Sequence, residues 1–189
     1  NYAHAVLESE VSVIGSCGVT HELRVARIAP HMWEEPPISG TRGSGTVFFS
    51  GCNLGCVFCQ NYRVSHRGQG IEISADELTE KMLALQARGA HNINLVTPTH
   101  YAEQLVPVLE KIKPQLHIPI AYNTGGYETP ESLEMLAPYV DIWMPDFKFG
   151  SAQLAKDYAG AADYPEVAAR AIAKMYEIAG AVQFDAQGM

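Results

Sequence analysis

Cys52, Cys56 and Cys59 fall on one short run, Cys52-Asn-Leu-Gly-Cys56-Val-Phe-Cys59. Thiolates are soft ligands that suit iron–sulfur clusters and zinc. Three on one loop can hold three corners of a cubane cluster and leave the fourth iron open to a small molecule. A structural zinc or a closed cluster needs a fourth ligand, and Cys17 is the one other cysteine in the 189 residues. Spacing alone leaves both arrangements standing: an open cluster, or a site closed by Cys17 that serves as an iron–sulfur electron carrier or a zinc-bearing scaffold. A disulfide framework fits less well, because close neighbours on one loop staple little and four cysteines is a sparse count for this length.

The elements around the cysteines set their position. Thr46-Val-Phe-Phe49 reads as a buried strand that delivers the cysteine loop from its C-terminal end. Ser74 with Glu77 forms a capping box for a helix whose stripe is Leu78, Met82 and Leu85, with Gly89 at its C-terminal cap. Ile93–Val96 is a second strand, followed by a helix over about Tyr101–Lys113 that Pro107 should kink. His117–Tyr122 and Val140–Met144 are the third and fourth strands. Between them Thr129-Pro-Glu131 starts a helix, and a last helix begins near Tyr164-Pro-Glu166 and ends before Gly180.

Strands alternating with amphipathic helices specify an α/β fold with a parallel sheet and right-handed crossovers. About four βα units amount to half of a closed eightfold barrel, and a further strand is expected near residues 183–189. The pattern therefore reads as a partial barrel, truncated or completed by a partner at the open edge. Residues 1–44 form an N-terminal extension and residues 45–189 the barrel core. In such sheets ligands gather at the C-terminal ends of the strands. Thr97-Pro-Thr-His100, Asn123-Thr-Gly-Gly126 and Pro145-Asp-Phe-Lys148 lie there with the cysteines, a polar pocket beside a soft metal site.

Composition sets the outer bounds. Hydrophobic residues make up 47%, enough for one good core. The formal charge of −8, with no Lys/Arg run, argues against nucleic-acid binding. No stretch has the length of a membrane span, and the N-terminus lacks a signal-peptide pattern, so a cytoplasmic location is expected.

The cysteine loop, with aromatic Phe58 before its last cysteine, resembles the signature of the radical S-adenosylmethionine superfamily. Glu35-Pro-Pro-Ile-Ser-Gly-Thr-Arg-Gly-Ser-Gly-Thr-Val-Phe-Phe-Ser-Gly-Cys52, Phe58-Cys-Gln-Asn-Tyr62, Val96-Thr-Pro-Thr-His-Tyr101 and Met144-Pro-Asp-Phe-Lys148 are similar to the branch related to pyruvate formate-lyase activating enzymes. The resemblance implies a partial (β/α) barrel of the radical SAM type. It implies a 4Fe-4S cluster on Cys52, Cys56 and Cys59, with the amino and carboxylate groups of S-adenosylmethionine on the fourth iron. Phe58 would lie near the adenine. Thr97 and Thr99 would occupy the place of the family's glycine-glycine-glutamate turn, a sequence absent here, and Asn123 stands where related enzymes have an aspartate. Lys148 would lie near the cofactor's carboxylate. The implied reaction is one-electron reduction of the sulfonium, carbon–sulfur cleavage and hydrogen abstraction by a 5′-deoxyadenosyl radical. A glycyl radical enzyme or a small molecule would be the substrate, and flavodoxin or ferredoxin the electron donor.

Overall fold

A computed structural model describes residues 17–20 and 22–184. Residues 1–16 of the extension and residues 185–189, where a further strand is expected to begin, lie outside the described residues. The elements are β1 (Arg24–His31), α1 (Pro36–Ser39), β2 (Ser44–Phe49), α2 (Tyr62–Ser65), β3 (Ile71–Glu72), α3 (Ala75–Ala87), β4 (Ile93–Val96) and α4 (Ala102–Ile112), then β5 (Ile120–Thr124), α5 (Pro130–Leu136), β6 (Ile142–Pro145), α6 (Ala152–Ala159) and α7 (Tyr164–Ala179).

One sheet runs in the order β3-β1-β2-β4-β5-β6. The four strands read from the sequence, β2, β4, β5 and β6, are parallel neighbours in that order. The N-terminal extension also contributes to the sheet: β1 pairs antiparallel with both β2 and β3. Strand β1 therefore covers the β2 edge, while β6 pairs on one side only among the described residues.

Strand alternation splits the sheet into two faces. Val47, Phe49, Ile93, Leu95, Ile120 and Tyr122 point to a fully apolar layer beneath α3 and α4. Leu78, Met82 and Leu85 meet them from α3, as the stripe requires, and Leu105, Leu109 and Ile112 from α4. Each fully buried leucine there contributes about 1.5–3 kcal/mol of transfer free energy. Phe48, Val96, Asn123 and Met144 stand opposite one another in register and share the other face.

Helix boundaries follow local chemistry. The Ser74 hydroxyl accepts from the Glu77 N–H at 3.1 Å, and Thr129 caps α5 through the Ser132 N–H at 3.2 Å. Pro107 does not end α4, which continues to Ile112. The proline sits on the exposed face, so the Glu103 carbonyl that loses its N–H partner can turn to water. The third strand starts later than its apolar run suggests, because Asp141 takes the Ile120 N–H at 2.9 Å, and it extends to Thr124. Among the described residues no helix is long and apolar enough to cross a membrane.

Candidate cofactor site

The cysteine loop leaves β2 through Gly51, whose φ of +86° suits glycine. A Cβ there would also lie 2.8 Å from the Cys17 carbonyl, which instead accepts the Cys52 N–H at 3.2 Å. Helix α6, which hydrophobic periodicity does not reveal, pins the middle of the loop. Its terminal carbonyls at Ala159 and Tyr158 accept the Gly55 and Val57 N–H groups at 3.1 and 2.9 Å. Those carbonyls have no partner within their own helix, so one set of contacts satisfies the helix end and fixes the loop. Phe58 is 58% exposed at the tip, with its ring 5.8 Å from that of Phe149.

The turns after β4, β5 and β6 surround this loop, and together they line a cavity of about 580 Å³. Cys52, Cys56, Cys59, Phe58, Thr97, Asn123 and Lys148 all contribute to its wall. Thr99 does not. Its hydroxyl donates instead to Glu128 at 2.5 Å, behind the pocket. Thr97 has φ +55°, the one non-glycine positive φ among the described residues. A β-branched residue pays a steric cost in that conformation, so its neighbours must hold it there.

Two polar knots behind the cavity join the turns. The Glu128 carboxyl accepts the hydroxyls of Thr99 and Thr124, binding the β4 and β5 ends. The Tyr164 hydroxyl accepts the Lys148 N–H at 2.8 Å and donates to the Gly125 carbonyl at 2.8 Å, with the Asp146 carbonyl 3.1 Å away, binding the β5 and β6 ends. Sequence reasoning took Tyr164 only as a helix start and did not single out Glu128. The partners of Tyr164 are distant in the chain, and so is Thr99 from Glu128, although Thr124 and Tyr122 lie only four and six residues before it.

The surroundings of Cys52 and Cys56 favour the neutral thiol. Burial pushes the Cys52 thiol up to about 11 and raises Cys56 as well. Burial is the largest single influence on the Lys148 ammonium and pulls its pKa down, but the bond to Asp146 at 2.5 Å, together with the charges of Asp146, Cys56 and Tyr164, leaves it raised. Ser65 places its hydroxyl 3.2 Å from Cys59 Sγ and 2.8 Å from His66 Nδ1. The segment before β2 supplies His31, Trp33 and Glu34 to the same cavity, and Asn123 donates to Glu34 at 3.3 Å.

Asp141, His100 and Cys17 have contacts of their own. Asp141 pairs with Lys113 at 2.6 Å. His100 bonds the Ser50 carbonyl at 2.7 Å through Nε2, in the short turn before α4. The Cys17 thiol lies 3.8 Å from the Val19 carbonyl, beside a smaller hollow of about 150 Å³ that also touches Cys52 and His66. Among the described residues no three His, Cys, Asp or Glu side chains converge tightly enough for one metal ion. A cubane asks for less convergence, because each thiolate binds a different iron. Three soft donors on one loop, beside a cavity in the size range of small-molecule sites, fit an iron–sulfur cluster with a bound cofactor.

Two comparisons bear on this fit. The uncharacterized protein MJ0674 of Methanocaldococcus jannaschii is 29% identical over 136 residues, covering 67% of this chain. The match covers 39% of that relative's own length. The family model described as the radical SAM superfamily matches residues 46–181, from the strand before the cysteines to just past α7. Members of that superfamily typically bind a 4Fe-4S cluster and S-adenosylmethionine and carry out radical chemistry. By the extent of that match, this chain belongs to the radical SAM superfamily.

Proposed function

We propose that this chain cleaves S-adenosylmethionine reductively and acts as an activating enzyme, abstracting hydrogen from a glycine on a partner protein. The observation that carries the reading is the placement of Cys52, Cys56 and Cys59 on one wall of the cavity that Thr97, Asn123 and Lys148 also line. When bound, a 4Fe-4S cluster supplies the electron that converts the cofactor to methionine and a 5′-deoxyadenosyl radical. The three cysteines would hold that cluster. Lys148 sits half-buried on the cavity wall, beside Asp146, and would meet the cofactor's carboxylate by exchanging its partner. Asn123 and the turn at Thr97 would bind its polar groups, and Phe58 would cover the adenine and exclude water. Flavodoxin or ferredoxin would donate the electron.

The test is anaerobic reconstitution of the full chain with iron and sulfide, followed by reductant and S-adenosylmethionine. Formation of 5′-deoxyadenosine is expected, with loss in Cys52→Ala, Cys56→Ala and Cys59→Ala and retention in Cys17→Ala. A cluster-loaded protein that releases no 5′-deoxyadenosine overturns the reading. Deuterium passing from a labelled glycyl radical enzyme into 5′-deoxyadenosine supports the activating role, whereas transfer only from a small molecule overturns that part.

A further inference from the structure

Glu128 is a buried carboxylate that the proposed chemistry leaves without a task. Its residue is 2% exposed and lies in the turn after β5. One oxygen, Oε1, accepts Thr99 Oγ1–H at 2.5 Å and the Thr124 hydroxyl, and the Tyr122 hydroxyl stands 3.4 Å from both oxygens. Thr124 in turn accepts the Gly126 N–H at 3.2 Å, so its own proton is free for Glu128. No cation takes part in these contacts. Sequestering a carboxyl costs free energy that hydroxyl donors only partly offset.

That cost needs a return, and the strained turn supplies one. Thr97 holds φ +55°, two residues before Thr99, on the cavity wall. Its N–H donates to the Asn123 carbonyl at 2.8 Å, which fixes one end of the turn against β5. The bond from Thr99 to Glu128 fixes the other end against the same strand. A left-handed threonine persists only where the surroundings determine it from both sides.

We propose that Glu128 is a positioning residue of the cofactor pocket: its carboxyl draws Thr99 and Thr124 together and so holds Thr97 in the conformation that shapes the cavity wall. The cofactor's identity rests on the function proposed above, whereas the clamp rests on the geometry alone. Glu128 does not itself line the cavity and acts through the two threonines, of which Thr124 does.

The experiment compares the cluster-loaded full chain with Glu128→Ala, Glu128→Gln and Thr99→Val. Three quantities are measured: amide exchange over residues 96–101, equilibrium binding of S-adenosylmethionine and the unfolding midpoint. Glu128→Ala should accelerate exchange in that segment and weaken binding by about tenfold, the loss of one good charge-assisted hydrogen bond. Glu128→Gln keeps an acceptor for both threonines and should restore most of the affinity. Thr99→Val deletes a single donor, and carries the same test should Glu128→Ala fail to fold. A lower midpoint with unchanged exchange at 96–101 and unchanged affinity overturns the proposal. Faster exchange in Glu128→Ala, with wild-type chain that binds no S-adenosylmethionine, sustains the clamp and overturns the cofactor reading instead.

Discussion

Tyr164→Phe isolates one polar knot with little else disturbed. The ring is fully buried, packed edge-on to Phe149 at 5.5 Å, and phenylalanine preserves that packing. Only the hydroxyl is lost, and with it the acceptor of the Lys148 N–H and the donor to the Gly125 carbonyl, both at 2.8 Å. Two net hydrogen bonds at about 1 kcal/mol each, plus part of the penalty for a stranded N–H, give roughly 2–3 kcal/mol. For a domain of this size each kcal/mol moves the midpoint by about 2–4 °C, so the expected fall is roughly 4–12 °C. Thermal unfolding followed by circular dichroism, on cluster-free and cluster-loaded protein, measures it. Tyr158→Phe serves as the control, because that residue is 47% exposed, and its change should stay within about 0.5 kcal/mol. A fall for Tyr164→Phe no larger than the control's would refute the reasoning.

Three further outcomes follow from the same contacts. Ser65→Ala removes the hydroxyl 3.2 Å from Cys59 Sγ; hydrogen bonds to cluster sulfurs set the potential, so the reduction midpoint of the loaded protein should drop in an anaerobic titration, and an unchanged midpoint removes Ser65 from that role. Thr97→Gly relieves a left-handed strain of about 1–2 kcal/mol against about 0.5–1 kcal/mol of added chain entropy, so the unfolding midpoint should rise slightly; a clear fall contradicts the strain. Burial raises the Glu128 pKa above 4.5, so the folded state keeps a proton that the unfolded chain releases, and stability falls as pH rises from that value through the raised one. Glu128→Gln should flatten that slope in denaturant titrations; parallel slopes would show that Glu128 does not titrate this way.

The parallel strands were legible because each carries a local apolar run bounded by turn residues: Thr46–Phe49 lies within β2, and Ile93–Val96 coincides with β4. Ser74 and Thr129 announced their helices by short-range capping. Strand β1 was not legible, because its register slips between Val25 and Arg27 and Pro30 interrupts its pattern. Helix α6 buries only Ala155 and Ala159, too small to draw a hydrophobic stripe, although Ser151 caps its start. At the site, cysteine spacing is a local signal, and so is a lysine following a strand. Glu128 next to Tyr127 in a glycine-rich turn reads as a solvated charge, and its burial arises only when Thr99 and Thr124 close over it.

Why the site relies on polar knots follows from the cavity it must keep open. The ladders run one step past the strands: Thr97 N–H reaches the Asn123 carbonyl at 2.8 Å, and Asp146 N–H reaches the Thr124 carbonyl at 2.9 Å. Beyond those rungs the turns have the cavity on one side, where apolar packing would fill the space a ligand needs. Glu128 and Tyr164 therefore hold them from behind, with directional bonds that fix position without occupying the pocket. The apolar layer under α3 and α4 lies on the opposite face and meets the turns only at its rim, through Tyr101 and through Tyr122, whose hydroxyl stands 3.4 Å from Glu128. The two faces should then respond differently to mutation. Leu105→Ala, at a fully buried position, should cost about 2–5 kcal/mol of stability while the folded fraction binds S-adenosylmethionine with unchanged affinity. Knot substitutions should weaken affinity even where the loss of stability is smaller. Titrating binding against folded fraction for both classes decides it: if Leu105→Ala weakens affinity as much per kcal/mol as Tyr164→Phe, the turns are held by the core and not by the knots.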